Sequence, residues 1–215
     1  MSNRTGPNHM RLNRTGRKHT GLILTNLLAM GLALGGCVSI GAKAPPQLLT
    51  ITTDKAITAG QNITSQGLPP IVIAIPDVPR KLANTRVPVQ VDATTVAYVK
   101  DAQWTDAPRD MFLRLLNETI TADGARFVID DGQYGLHPKQ RLTGDLIDFG
   151  IDAQSKEAVV TYDATLTEAE TNAAQRRRFT ARVPVSTIKA DRVADPINRA
   201  ANQVAAEVAA WVKAG

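Results

Sequence analysis

Apolar residues recur along this chain in three distinct patterns, and each predicts a different element. From Gly21 to Gly36 the sequence is almost wholly Leu, Ile, Ala, Met and Gly, with Thr25 and Asn26 as polar breaks. From Val38 to Pro70 it is rich in Ser, Thr, Gly, Gln and Pro, punctuated by Pro45-Pro46 and Pro69-Pro70. That composition predicts a flexible tether. Only Leu48-Leu49-Thr50-Ile51 stands out there, as a short edge strand able to dock onto a body. The body begins with Ile71-Val72-Ile73-Ala74-Ile75, a run without polar alternation, which predicts a strand covered on both faces.

Beyond it the period shortens to two. Val87 to Val91 and Thr95 to Val99 read as a hairpin turning at Asp92-Ala93, with Pro88 keeping the first strand near an edge. Phe127 to Asp130 is a further short strand. In Gln140 to Ile151, Ile147, Phe149 and Ile151 alternate with Asp148 and Gly150. In Ala158 to Thr167, Val160, Tyr162, Ala164 and Leu166 share one face. In Arg178 to Val185, Phe179, Ala181, Val183 and Val185 do the same. Strict alternation predicts a sheet with one packed and one wet face.

Two stretches instead repeat every three or four residues. The first carries Phe112, Leu115, Leu116 and Ile120, with Thr105 or Asp106 as cap, Pro108 in the first turn and a stop near Asp123-Gly124. The second carries Ile197, Ala201, Val204, Val208 and Trp211, with Asp195 as cap and Pro196 at the first helical position. The fold class is therefore α+β: a mostly antiparallel sheet with two amphipathic helices packed on one face. The domain division is 1–36, a leader; 37–70, the tether; and 71–215, the folded domain.

The leader changes the picture most. Arg11, Arg14, Arg17 and Lys18 precede the apolar run, which ends on Leu34-Gly35-Gly36-Cys37 and contains the only cysteine of 215 residues. A basic segment, a short apolar core and small residues make a secretory signal. Its 16-residue apolar core falls short of the roughly 20 residues a membrane span needs. A small-residue site ending on Cys looks like a bacterial lipobox. Leu34, Gly35 and Gly36 are then the signal-peptidase recognition residues and Cys37 the lipidated first residue of the mature chain. Translation can start at Met1 or Met10, since either leaves a working signal.

Charge looks different once the leader is removed. The whole chain carries a formal +5, which would suggest an anionic partner. Five of its basic groups, Arg4, Arg11, Arg14, Arg17 and Lys18, lie before Cys37, leaving 20 basic against 20 acidic residues. A neutral mature chain with few aromatics gives no basis for nucleic-acid binding. With its one thiol acylated the domain has no disulfide, so packing alone must stabilise it. His137 is the only histidine after Cys37 and sits in a polar turn, so no metal site is expected.

No motif for nucleophilic, phosphate-binding or zinc chemistry is present. Asp145, Asp148 and Asp152 could supply paired carboxylates, but their spacing places Asp148 and Asp152 on the wet face of a strand, where such groups keep an edge soluble. The run Arg176-Arg177-Arg178 reads as a solvated hairpin end, or as a grip for an acidic partner or lipid head groups. Trp104, just before a helix, reads as a staple in the core or as an aromatic anchor at an interface.

The stretch Tyr98-Val99-Lys100-Asp101-Ala102-Gln103-Trp104-Thr105-Asp106-Ala107-Pro108 opens a helix after a hairpin, behind a lipobox and a strand ending in Ile75-Pro76. This combination resembles the ABC-type transport auxiliary lipoproteins, the paraquat-inducible protein C-like family, from about Leu48 to the C-terminus. The resemblance implies a non-catalytic periplasmic component that works with an ABC permease, its ATPase and an MCE-domain protein in moving lipids between inner and outer membranes. It implies no cofactor beyond diacylglycerol and an N-acyl chain on Cys37, and no catalytic residue. Trp104, Arg176, Arg177 and Arg178 are the candidate partner contacts. Val38 after Cys37, in place of an inner-membrane-retaining Asp, points to a periplasm-facing anchor in the outer membrane rather than the inner. A homo-oligomer stays open. Two other functions also fit a tethered α+β domain: a cofactor for outer-membrane or cell-wall assembly, and a lipid-binding module with a pocket lined by Phe149, Tyr162 and Phe179.

Overall fold

The segments with the clearest alternation form the three longest strands. In the computed structural model, which describes residues 47–129 and 137–215, these are β6 (Gln140–Asp152), β7 (Glu157–Glu168) and β8 (Ala174–Pro184). They pair as two long antiparallel ladders, β6–β7 and β7–β8. Leu34 to Cys37 lie outside the described residues, as do residues 130–136. The inward set of β7, Ala158, Val160, Tyr162 and Ala164, is fully buried. A bulge between Leu146 and Asp148 shifts the side-chain parity of β6. Leu142 and Leu146 therefore face inward before it, and Phe149 and Ile151 after it.

Five shorter strands complete an eight-stranded sheet: β1 (Gln47–Leu49), β2 (Pro70–Ile73), β3 (Arg86–Gln90), β4 (Val96–Trp104) and β5 (Phe127–Ile129). The far edge of β6 is shared. Its first half takes β2 in parallel and its end takes β3 in parallel. Between them the chain stays on β6 through Asp77, whose N–H donates to Gly144 and whose carbonyl accepts from Leu146. β5 lies beyond β2, and β4 then β1 lie beyond β3. The long ladders are antiparallel and the short ones, apart from β3–β4, are parallel.

Two helices cover one face: α1 (Pro108–Asp123) and α2 (Ala190–Ala214). Phe112 of α1 meets Tyr162 and Phe149 edge-on at centroid distances of 5.2 and 6.5 Å, and Trp211 of α2 meets Phe179 at 5.6 Å. The layered α+β architecture is the one the periodicities predict.

Several local expectations are corrected. α1 is capped by Ala107, with no side-chain bond, and Pro108 supplies the start. Asp106 instead pairs with Arg114 at 2.7 Å. α2 begins at Ala190, not at Asp195, so Pro196 sits inside the helix. Burial explains this: Val193 and Pro196 both pack into the core, holding the preceding turn helical against the preference of a residue before proline. β3 is an interior strand. Pro88 is tolerated because the β3–β4 register shifts between Arg86 and Pro88, beside the left-handed Asp101 (φ 56°). The docking of Leu48 and Leu49 is found, with β1 parallel to β4.

Candidate functional site

The helix-free face of β6, β7 and β8 gathers most of the charged residues that the sequence singles out. Outward positions on three neighbouring strands put Asp145, Asp148 and Asp152 beside Asp163 and beside Arg176, Arg178 and Arg182. Each carboxylate has a cation. Arg178 grips Asp163 with two bonds, from Nε at 2.6 Å and an η-nitrogen at 2.7 Å. Arg176 reaches Asp145 at 3.4 Å and Asp163 at 3.5 Å. Lys81 meets Asp148 at 2.8 Å, and Arg182 meets Glu157 at 3.1 Å and Asp152 at 3.7 Å.

This lattice assigns the arginine run. It lies within β8 near the turn that joins β7 to β8, opposite Ala164 and its neighbours, and is exposed. Arg176 and Arg178 are spent on carboxylates of their own sheet. Arg177 points the other way and lies over the Phe179 ring at 5.0 Å. Trp104 is in the core, only 1% exposed and edge-on to Phe149 at 5.6 Å, so its ring is not a surface anchor. His137 is exposed.

Asp145, Asp148 and Asp152, considered as paired carboxylates, are each salt-bridged to a cation instead: Arg176, Lys81 and Arg182 respectively. Asp163 is the most enclosed, its side chain 10% exposed. The Arg178 hydrogen bonds hold its carboxyl below the usual range despite burial. A carboxyl lowered on folding stabilises the fold above its unfolded value and loses that contribution as pH falls through its folded value. Asp163→Asn should therefore cost about 1 kcal/mol at pH 7, discounted for the exposed arginine, and the difference from wild type should vanish in acid. Urea melts at pH 7 and at successively lower pH below about 4 check this. A difference that stays constant throughout would contradict it.

Beside the lattice runs a groove of about 310 Å³, with Lys81, Gln90 and Asp148 on one side and Arg182 on the other. The aromatic positions considered for a lipid pocket do not open into it as a set. Phe149, Tyr162 and Phe179 are each at most 2% exposed and pack against Trp104, Phe112 and Trp211. They form a filled core. The Tyr162 phenol is pushed upward by burial, and further by Asp145, so it stays neutral. Among the described residues no three of His, Cys, Asp and Glu come together as a metal site, and no helix is long and apolar enough to cross a membrane.

Sequence reasoning missed two asparagines of α2, Asn198 and Asn202, which bind the main chain of Thr52 to Asp54. The signal was available: two Asn four residues apart in a helix otherwise rich in Ala. Alanine is the better helix former, so the amides need another reason to be there.

The sequence profile of the ABC-type transport auxiliary lipoprotein component matches residues 50–209. The chain belongs to that family. No curated protein matches it. Among solved structures, a Xanthomonas campestris protein of the DUF330 family superposes with a TM-score of 0.65 at 20% identity, covering 78% of this chain and 95% of that one. An uncharacterized protein gives 0.54 at 13% identity, with coverage of 78% and 98%. Both likenesses concern the fold. The PelC dodecamer of Paraburkholderia phytofirmans is more distant, at 0.37 and 12% identity over 70% of this chain and 92% of that one. Family membership assigns an auxiliary role in ABC-type transport and a membrane-anchored place in the cell envelope.

Proposed function

We propose that this auxiliary lipoprotein is a non-catalytic, periplasm-facing subunit of an MCE-type system that moves lipids between the inner and outer membranes. The observation that carries the reading is a family match beginning at residue 50, a short distance behind Leu34-Gly35-Gly36-Cys37. Cys37 carries diacylglycerol and an N-acyl chain, palmitate or a similar fatty acid. Each buried methylene contributes about 0.8 kcal/mol, so three chains make release from the leaflet negligible. Val38, rather than Asp, sends the anchor to the outer membrane.

The chemistry left to the domain is adhesion. A tethered domain meets its partner at a high local concentration, so a weak interface suffices. Of the four arginines in β8, Arg176, Arg178 and Arg182 face carboxylates, whereas Arg177 has an aromatic ring for its neighbour. Its charge is the one available to an acidic surface of the MCE-domain protein or of the permease and ATPase behind it.

Crosslinking of tagged protein in native membranes, read by mass spectrometry beside Cys37→Ala, tests this. The expected catch is an MCE-domain protein, reduced about a hundredfold without the anchor, the low end of the gain that linkage gives. Recovery of a cell-wall synthase or a barrel-assembly protein, with no transport component, would replace the transport reading with an assembly role.

A further inference from the structure

Between β1 and β2 lies a strap that the family assignment does not explain. Asn202 accepts the Asp54 N–H at 2.8 Å on Oδ1 and donates from Nδ2 to the Thr52 carbonyl at 2.8 Å. Asn198 Oδ1 accepts the Thr52 N–H at 2.9 Å. All three bonds read main chain, so they hold an extended segment whatever its side chains. Upstream, Leu49 is buried, and its carbonyl accepts the Thr105 N–H at 2.8 Å.

The strap is lightly seated. β1 has three residues on a sheet edge, too few to be stable alone. Cavities of about 340 and 230 Å³ flank the segment against the helices, the first lined by Ile51, Met111 and Arg114, the second by Asp54, Arg199 and Gln203. A three-residue edge strand bordered by two open grooves opens at lower cost than the long β6–β7 ladder.

Behind it lies spare chain. Residues 55–68 contain no helix or strand and are exposed apart from the half-buried Ile63 and Leu68. Their main-chain bonds are local, Gln61 N–H to Thr58 and Leu68 N–H to Ser65. A loop of this length inside a compact domain is uncommon and is usually a functional segment or a linker.

We propose that Gln47–Asp54 is a releasable latch that sets the reach of the lipid anchor. This rests on the reading that Cys37 is acylated. Latched, the leash is the nine residues 38–46, which span at most about 30 Å. Unlatched, it gains the 22 residues 47–68, and its limit rises to about 100 Å. Asn198 and Asn202 are the catch, and the 55–68 loop is the stored length. A domain held close to its own membrane can thus extend to a partner across the periplasm without leaving its anchor.

The test uses the mature acylated protein in phosphatidylethanolamine–phosphatidylglycerol vesicles doped with an acceptor-labelled lipid. The donor sits on Ser155→Cys, an exposed turn position and the one free thiol when Cys37 is acylated. Three forms are compared: this protein, Asn198→Ala/Asn202→Ala, and the same pair with Leu49→Gln. Alanine favours the helix, so α2 survives the change. Transfer should fall stepwise across the three. Amide exchange over 47–54 should rise on the order of tenfold in the asparagine variant while β6 and β7 keep their protection. Equal transfer in all three forms would overturn the latch. So would 47–54 exchanging only with the β6–β7 ladder, which would make the strap an integral strand. Failure of every form to float with the vesicles would instead refute the anchor and with it the leash, while exchange would still report on the strap.

Discussion

Gly144→Ala should lower stability by about 3 kcal/mol in urea melts, the upper end of what overpacking costs. Gly144 lies mid-way along β6 in the long ladder with β7. A methyl group there would strike the Asp163 carbonyl and come within 2.8 Å of the Tyr162 ring, which leans across the glycine. The obstacle is main chain on one side and a fully buried ring on the other, so neither can move aside cheaply. An aromatic side chain covering a strand glycine is a known way to pin register. Thr143→Ala on the same strand should stay within about 0.5 kcal/mol. If the two variants melted together, the close approach of Tyr162 to β6 would be wrong.

Phe112→Ala should cost about 4 kcal/mol, and Phe112→Leu clearly less. Phe112 is fully buried where α1 meets the sheet, in edge contact with both Phe149 and Tyr162. Its removal takes apolar area from water exclusion and leaves a void bounded by rings that stay in place. Chemical melts read the loss directly. A cost below about 1 kcal/mol would mean the ring cluster is loosely packed, which would reopen the idea of a lipid pocket there.

Much of the fold was legible because the alternation in β7 and β8 is strict and its apolar sets are buried, although in β7 the opposite face, Val159, Thr161 and Asp163, is buried as well. The helices were equally plain from their three- and four-residue stripes. What periodicity could not show was set by tertiary contacts. The β6 bulge moves the inward set from Leu146 to Phe149, and no local pattern marks it. The start of α2 depends on burial of Val193, not on the Asp195-Pro196 pair that usually signals a beginning. Pro88 suggested an edge, but the shifted β3–β4 register lets it sit between two strands. The intramolecular partners of the arginine run, Asp145 and Asp163, were not legible because they come from other strands. The latch was hidden for the same reason: Thr52 and Asn202 are 150 positions apart.

The leash and partner docking both depend on the covalent state of Cys37. Intact-mass analysis of the protein extracted from its native membrane measures that state directly. The account predicts a chain beginning at Cys37, heavier than the bare polypeptide by a diacylglyceryl group and one further acyl group. A chain retaining residues 1–36, or one cut elsewhere with an unmodified cysteine, would contradict it.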